Sequence, residues 1–290
     1  TCLGAALATF LMAFLANYPF ALAPGMGLNA FFAFTVVLGM KISWQTALAA
    51  VFIEGLIFIA LTLTKVREDV VNSIPTTLKI GISAGIGLFI TFIGLQGAGI
   101  VVKNDAVLVG LTSFRAHMPA VLALIGLMLM VTLEVKKVRG GILIGIIVVT
   151  ILGIPFGITK LPTGVISMPP SLGPIFWKMD FSSIMNPNFW VIVLTFFFVD
   201  FFDTVGTLVG VSSRAGMLDS KGRLPKASAA LMSDAVGTAA GAVLGTSTVT
   251  TFVESASGVE QGGRTGLTAL VVAVLFLLAM FFNPIISIVP

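Results

Sequence analysis

Long apolar runs separated by short polar breaks make up most of this chain. Ten can be marked out: 1–17, 18–39, 43–64, 77–102, 118–135, 140–158, 188–212, 228–246, 247–262 and 264–283. Crossing a bilayer core as a helix takes roughly 20 apolar residues, and most of these runs are close to that. Barrel strands would instead alternate apolar and polar positions in segments of about ten. The pattern predicts an all-α, multi-pass membrane protein.

Two of the runs are interrupted in the same way. The first contains Asn17-Tyr18-Pro19-Phe20-Ala21-Leu22-Ala23-Pro24-Gly25-Met26-Gly27-Leu28-Asn29. The second contains Gly245-Thr246-Ser247-Thr248-Val249-Thr250-Thr251-Phe252-Val253-Glu254-Ser255. Each opens with an extended, turn-prone stretch and becomes helical only afterwards. Pro19 and Pro24 remove backbone donors, and Gly25 and Gly27 allow close approach. An unpaired backbone group in hydrocarbon costs several kcal/mol, so such breaks persist only where protein or a cavity satisfies them. A pair of broken helices in corresponding places points to a transporter site near the bilayer midplane. Residues 1–64 and 228–283 both read helix, broken helix, helix. The residues alone leave open whether the repeat is parallel or inverted.

The polar side chains inside the runs are the next signal. Glu54, Asp200, Asp203 and Glu254 lie in apolar surroundings. A charged group at a helix centre costs about 2.5–3.5 kcal/mol on insertion scales, which makes each a functional candidate. Asp200, Asp203 and Thr207 follow one another at helical spacings of three and four. Asn29 lies one turn into the helix after Pro24-Gly25 and is expected to line the site. A carboxylate stripped of water favours its neutral form, the property a proton carrier needs. Glu260 and Arg264 are expected to pair, His117 to be solvated in a loop, and 66–75 to form an amphipathic helix at the membrane surface.

Composition supports the membrane reading: 57% of residues are hydrophobic and 10% charged, against about 25% charged in soluble domains. The net charge of +4 reports topology, not nucleic-acid affinity. Eleven of the sixteen Lys and Arg (Lys65, Arg67, Lys79, Lys136, Lys137, Arg139, Arg214, Lys221, Arg223, Lys226 and Arg264) fall on one side. By the positive-inside rule that side is cytoplasmic. A single cysteine, Cys2, excludes an internal disulfide. The sequence shows no P-loop, GxSxG motif or metal-ligand cluster, so no enzyme, cofactor or metal is expected.

Ala23-Pro24-Gly25-Met26-Gly27-Leu28-Asn29-Ala30, Phe201-Phe202-Asp203-Thr204-Val205-Gly206-Thr207 and the 245–255 stretch resemble the guanine/hypoxanthine/adenine permeases. These form the AzgA-like branch of the nucleobase:cation symporter-2 (nucleobase–ascorbate) family. The resemblance implies two inverted repeats of seven spans, with a core and a gate domain. On that scheme the chain is truncated at both ends. Core parts fall at 1–64 and 188–283, gate helices at 65–160, an outer loop at 161–187, and 284–290 begins a further span. The implied function is secondary active import of hypoxanthine, guanine or adenine by proton symport, with sodium as the other candidate ion, through the inner or plasma membrane. A homodimer is expected, with the lipid bilayer around it and no nucleic-acid partner. Carried over onto this chain, Asp203 and Glu254 bind substrate and couple protons, and Phe252 stacks on the base. Asn29, Leu22 and Thr207 complete the binding set. Thr207 stands where the similar uracil permease has a His. The alternatives are an anion transporter of the related sulfate-permease-like fold, or a uracil or xanthine carrier.

Overall fold

The computed structural model describes residues 1–64, 66–115, 117–162, 164–220 and 223–289. Lys65 and Lys221, counted above for topology, lie outside the described residues, as does Pro290. In chain order the elements begin with α1 (Cys2–Leu11), which continues as a π-helical turn over Met12–Ala16. They continue with β1 (Leu22–Pro24), α2 (Met26–Ala30, extended as π-helix over Phe31–Gly39), α3 (Trp44–Leu63), α4 (Val66–Ser73) and α5 (Thr76–Gly97). Next come β2 (Val101–Asn104), β3 (Leu108–Leu111), α6 (Met118–Val135) and α7 (Gly141–Gly153). The last part holds α8 (Pro187–Arg214), α9 (Ala227–Val243), β4 (Val249–Thr251), α10 (Ser255–Glu260), α11 (Gly266–Ala279) and α12 (Asn283–Ile286). Among the described residues four helices are long and apolar enough to cross a membrane: α3, the Ile80–Gly97 part of α5, α6 and α8. Four shorter apolar helices lie at Cys2–Ala16, Met26–Gly39, Gly141–Gly153 and Gly266–Ala279.

The chain divides into two compact units. One comprises 88–169 and 279–290; in it α6 packs on α7, and β2 and β3 form an antiparallel hairpin that the hydrophobic pattern did not foreshadow. His117 caps α6 here. It keeps the expected loop position, but it is half-buried against Gly99 and its buried Nδ1 has no hydrogen-bond partner among the described residues, so the expectation of full solvation is corrected. The other comprises 1–87 and 170–278 and carries both broken segments.

In that larger unit α9 is the hub, packed by α1, α3 and β4. Small residues make this possible, as is usual between membrane helices. A Cβ at Gly55 of α3 would stand 2.7 Å from the Ala239 backbone nitrogen and 2.9 Å from its Cα. Backbone cannot step aside, so Gly55→Val should force α3 and α9 apart. The expected cost is about 1–3 kcal/mol, the usual range for overpacking, measurable as a lower Tm in detergent. An unchanged Tm would contradict the tight crossing.

Both breaks begin with a left-handed residue that stops the preceding helix. Asn17 takes φ 58°, with its side-chain Oδ1 accepting from the Gly266 amide at 2.9 Å. Gly245 takes φ +79°, and the Thr246 amide returns to the Gly241 carbonyl at 2.9 Å, satisfying the end of α9.

α4 corresponds to the expected amphipathic helix, but its buried face carries a charge beside an apolar residue. Arg67 is 1% exposed and Val71 8%, while Val66 and Val70 are outside. The expected Glu260–Arg264 pair is also absent. Glu260 pairs with Arg214 of α8, and Arg264 donates to the Val259 and Gly263 carbonyls. Residues four apart only face each other inside one helix, and α10 ends at Glu260.

Candidate functional site

The two broken segments meet. β1 and β4 pair antiparallel, with Leu22 opposite Thr251, Ala23 opposite Thr250 and Pro24 opposite Val249. The Phe252 amide donates to the Ala21 carbonyl at 2.8 Å, and the Gly25 amide to the Thr248 carbonyl at 3.4 Å. The Ser255 hydroxyl accepts from the Ala21 amide at 3.0 Å. Backbone that leaves a helix inside a membrane is thus satisfied by its counterpart, 200-odd residues along the chain. Immediately beyond the strands each chain turns helical again, at Gly25–Met26 and at Glu254–Ser255.

α8 passes beside this junction. A Cβ on Gly25 would lie 3.5 Å from the Asp203 Oδ2 and 2.8 Å from the Thr250 Cγ2. Asp203 therefore faces the start of the first half-helix, and it also lies near enough to Glu254 and Asp234 to feel their charge. Asp203 is half-buried and Glu254, which caps α10, is exposed. Phe252 is half-buried at the end of β4. Asn29 ties the two breaks together: its Oδ1 accepts from the Ser247 hydroxyl, and its Nδ2 donates to the Pro24 carbonyl at 3.4 Å. Thr207 is buried, one turn beyond Asp203. The Leu22 side chain is fully buried in the apolar cluster with Phe20 and Met12, and its amide and carbonyl both engage the Thr9 hydroxyl.

Gly25 is small because two neighbours occupy its side. Gly25→Ala is expected to displace Thr250 or part the strands, and so to weaken ligand binding and stability together. Parallel measurement of Tm and affinity tests this, and a variant matching the parent in both would refute the close approach.

Behind the strand pair lies a polar cluster that the sequence reading found only in part. Glu54, Asp200 and Asp234 are each 0% exposed. Arg67 reaches in from α4: its guanidinium lies 2.8 Å from the Asp234 Oδ2, donates to the Leu231 carbonyl at 3.1 Å, and sits 3.9 Å above the Phe58 ring centre. The Thr204 hydroxyl stands 3.3 Å from the Asp200 Oδ1, 3.2 Å from both Asp234 oxygens and 3.0 Å from the Thr250 hydroxyl. The Thr248 hydroxyl donates to the Glu54 Oε2 at 3.1 Å. Asp234 was missed, although the rule that selects Asp200 also selects it: it is an acid in the middle of α9. The sequence expectation makes Arg67 a cytoplasmic-side cation on the surface helix 66–75. No local signal marks it, because its partner is on a distant helix.

A polar cavity of about 650 Å³ opens elsewhere in this unit, between Lys41–Thr46 and Asp180–Ile192, and none of the expected site residues lines it. Asp180 at its edge accepts from the Ser182 amide and hydroxyl, which holds its carboxyl below the usual range.

Two interrupted membrane helices joined through short strands, with acids gathered at the junction, define a membrane transporter. Solved structures agree on the fold. The transmembrane domain of the cyanobacterial bicarbonate transporter BicA superposes with a TM-score of 0.66 at 18% identity, covering 100% of this chain and 76% of that one. SLC26A9 does so at 0.57 and 12% identity, over 97% and 50%. The chain belongs to the Xan_ur_permease family, a permease family, whose profile matches residues 1–290. A putative permease of Methanocaldococcus jannaschii is 53% identical over 290 residues. The guanine/hypoxanthine permease PbuG of Bacillus subtilis is 49% identical and the adenine permease AdeQ of Escherichia coli 42%. All of this chain is covered in each case, and it spans 66%, 66% and 65% of those proteins' lengths.

Proposed function

We propose that the protein imports purine nucleobases (hypoxanthine, guanine or adenine) across the inner or plasma membrane as a secondary active transporter. The observation that supports this is the β1–β4 pairing beside α8, with Asp203 of α8 facing the helix start at Gly25 and Glu254 at the start of α10. The edge of a purine offers N–H groups to carboxylates, and hydrogen bonds to charged groups are the strong ones. Its carbonyl and ring nitrogens suit the first-turn amides of the half-helix that follows Gly25. Its face suits Phe252. The likeness to a guanine/hypoxanthine permease and an adenine permease supports the same substrate class. Acids at the junction disfavour an anion as cargo.

Proton symport is part of this reading. If purine and proton bind together, affinity falls as the pH rises. The test is uptake by full-length protein in proteoliposomes, with labelled hypoxanthine, guanine and adenine against uracil, xanthine and bicarbonate. Each is run with a pH gradient or a sodium gradient. Purine uptake driven by acid outside is the expected result. Uptake of bicarbonate alone, or of uracil alone, would overturn the substrate class.

A further inference from the structure

The cluster behind the strands does not balance its charge. Glu54, Asp200 and Asp234 bring three carboxylates into full burial, and Arg67 brings one guanidinium, already committed to Asp234 and the Leu231 carbonyl. Left so, two negative charges would be uncompensated, and each buried ion without a partner costs several kcal/mol. The shortfall is localised. Glu54 Oε1 and Asp200 Oδ2 are buried and have no hydrogen-bond donor among the described residues. With a proton on either one, the Glu54 and Asp200 carboxyls are close enough within the cluster to bond to each other. Two carboxylates repel at that separation, whereas a carboxylic acid donates to a carboxylate.

We propose that Glu54 and Asp200 share one proton in a buried acid–carboxylate pair, and that this pair houses the transported proton. The coupling half of this inference rests on the carrier reading above; the shared proton does not. The groups facing the pair are Asp234 of α9 with Arg67 of α4, Asp203 on the same helix as Asp200, and the hydroxyls of Thr204, Thr248 and Thr250; Glu254 stands beyond Asp203. Two of these hydroxyls come from β4 and the residue before it. Along an extended strand alternate residues share a side, so Thr248 and Thr250 point back to the acids from the strand that forms the junction.

This arrangement links cargo to proton by electrostatics alone. Asp203 acts on Asp200 as a nearby like charge. A purine that displaces water from Asp203 lowers the local dielectric and strengthens that field, which holds the proton on the pair. Release of the purine rehydrates Asp203 and lets the proton go. The proton comes from bulk water on one side, sits on a carboxyl oxygen and returns to bulk water on the other side. No bond of the purine changes.

The experiment combines infrared spectroscopy with transport on the full-length protein. The wild type should show a neutral carboxyl C=O band at neutral pH that shifts only slowly in D2O. The band should move in Glu54→Gln and in Asp200→Asn and lose a component in the double variant. Absence of any slowly exchanging carboxyl band in the wild type overturns the proposal without need of a variant, as does a band the substitutions leave untouched. In proteoliposomes, both single variants should lose pH-gradient-driven hypoxanthine accumulation, falling to the level of downhill exchange. Accumulation that still follows the pH gradient in both, or that follows sodium in the wild type, overturns the coupling role. A wild type that carries no purine at all defeats the carrier reading but leaves the infrared result standing.

Discussion

Replacing Arg67 with Ala should destabilise the protein by about 3–5 kcal/mol, the cost of breaking a buried pair by removing one partner. The substitution strands Asp234 at 0% exposure and leaves the Leu231 carbonyl without the guanidinium that now donates to it. It also removes the cation from the Phe58 ring. The effect should reach beyond the cluster, because α4 is docked through this residue and Val71. Chemical or thermal unfolding in detergent reads the change. Arg67→Met combined with Asp234→Leu should recover most of the loss, since apolar replacement of both partners is often neutral. A single Arg67→Ala variant within about 1 kcal/mol of the parent would show that the pair is exposed to water in solution.

Replacing Glu254 with Gln should weaken purine binding by about 10- to 100-fold, and by more than Asp200→Asn does. A carboxylate at the junction can accept two N–H bonds from one base edge, while an amide accepts at one atom only. A hydrogen bond to a charged group is worth about 1.5–3 kcal/mol, which sets that range. Glu254 is the more exposed acid and makes no side-chain hydrogen bond that α10 depends on, so the loss should appear in affinity and not in Tm. Asp203→Asn should lower affinity similarly. Equal affinity losses in Glu254→Gln and Asp200→Asn, titrated with hypoxanthine on purified protein, would contradict the division of labour between the junction and the cluster behind it.

The membrane class, the two breaks and most of the acids are legible from the order of residues. All three follow from solvent: a long apolar run belongs in lipid, a Pro- and Gly-rich stretch cannot continue a helix, and an acid in apolar surroundings is too costly to be incidental. Each rule acts within a few residues, so Pro24-Gly25, the 246–251 run and Asp203 are visible without a fold. What those features meet depends on packing between distant segments. Nothing near Leu22 announces Thr251 as its partner, because a strand of three residues carries too little pattern to choose a register. Arg67 lies 167 residues from Asp234, and in the sequence it is one basic residue among several at a helix end. Glu54 looks like Asp203 in composition, yet one is sealed in the cluster while the other faces the junction. That difference is the direction in which each helix turns its acid, and packing against α9 sets it: a buried charge must find a partner, and the partners lie on other helices.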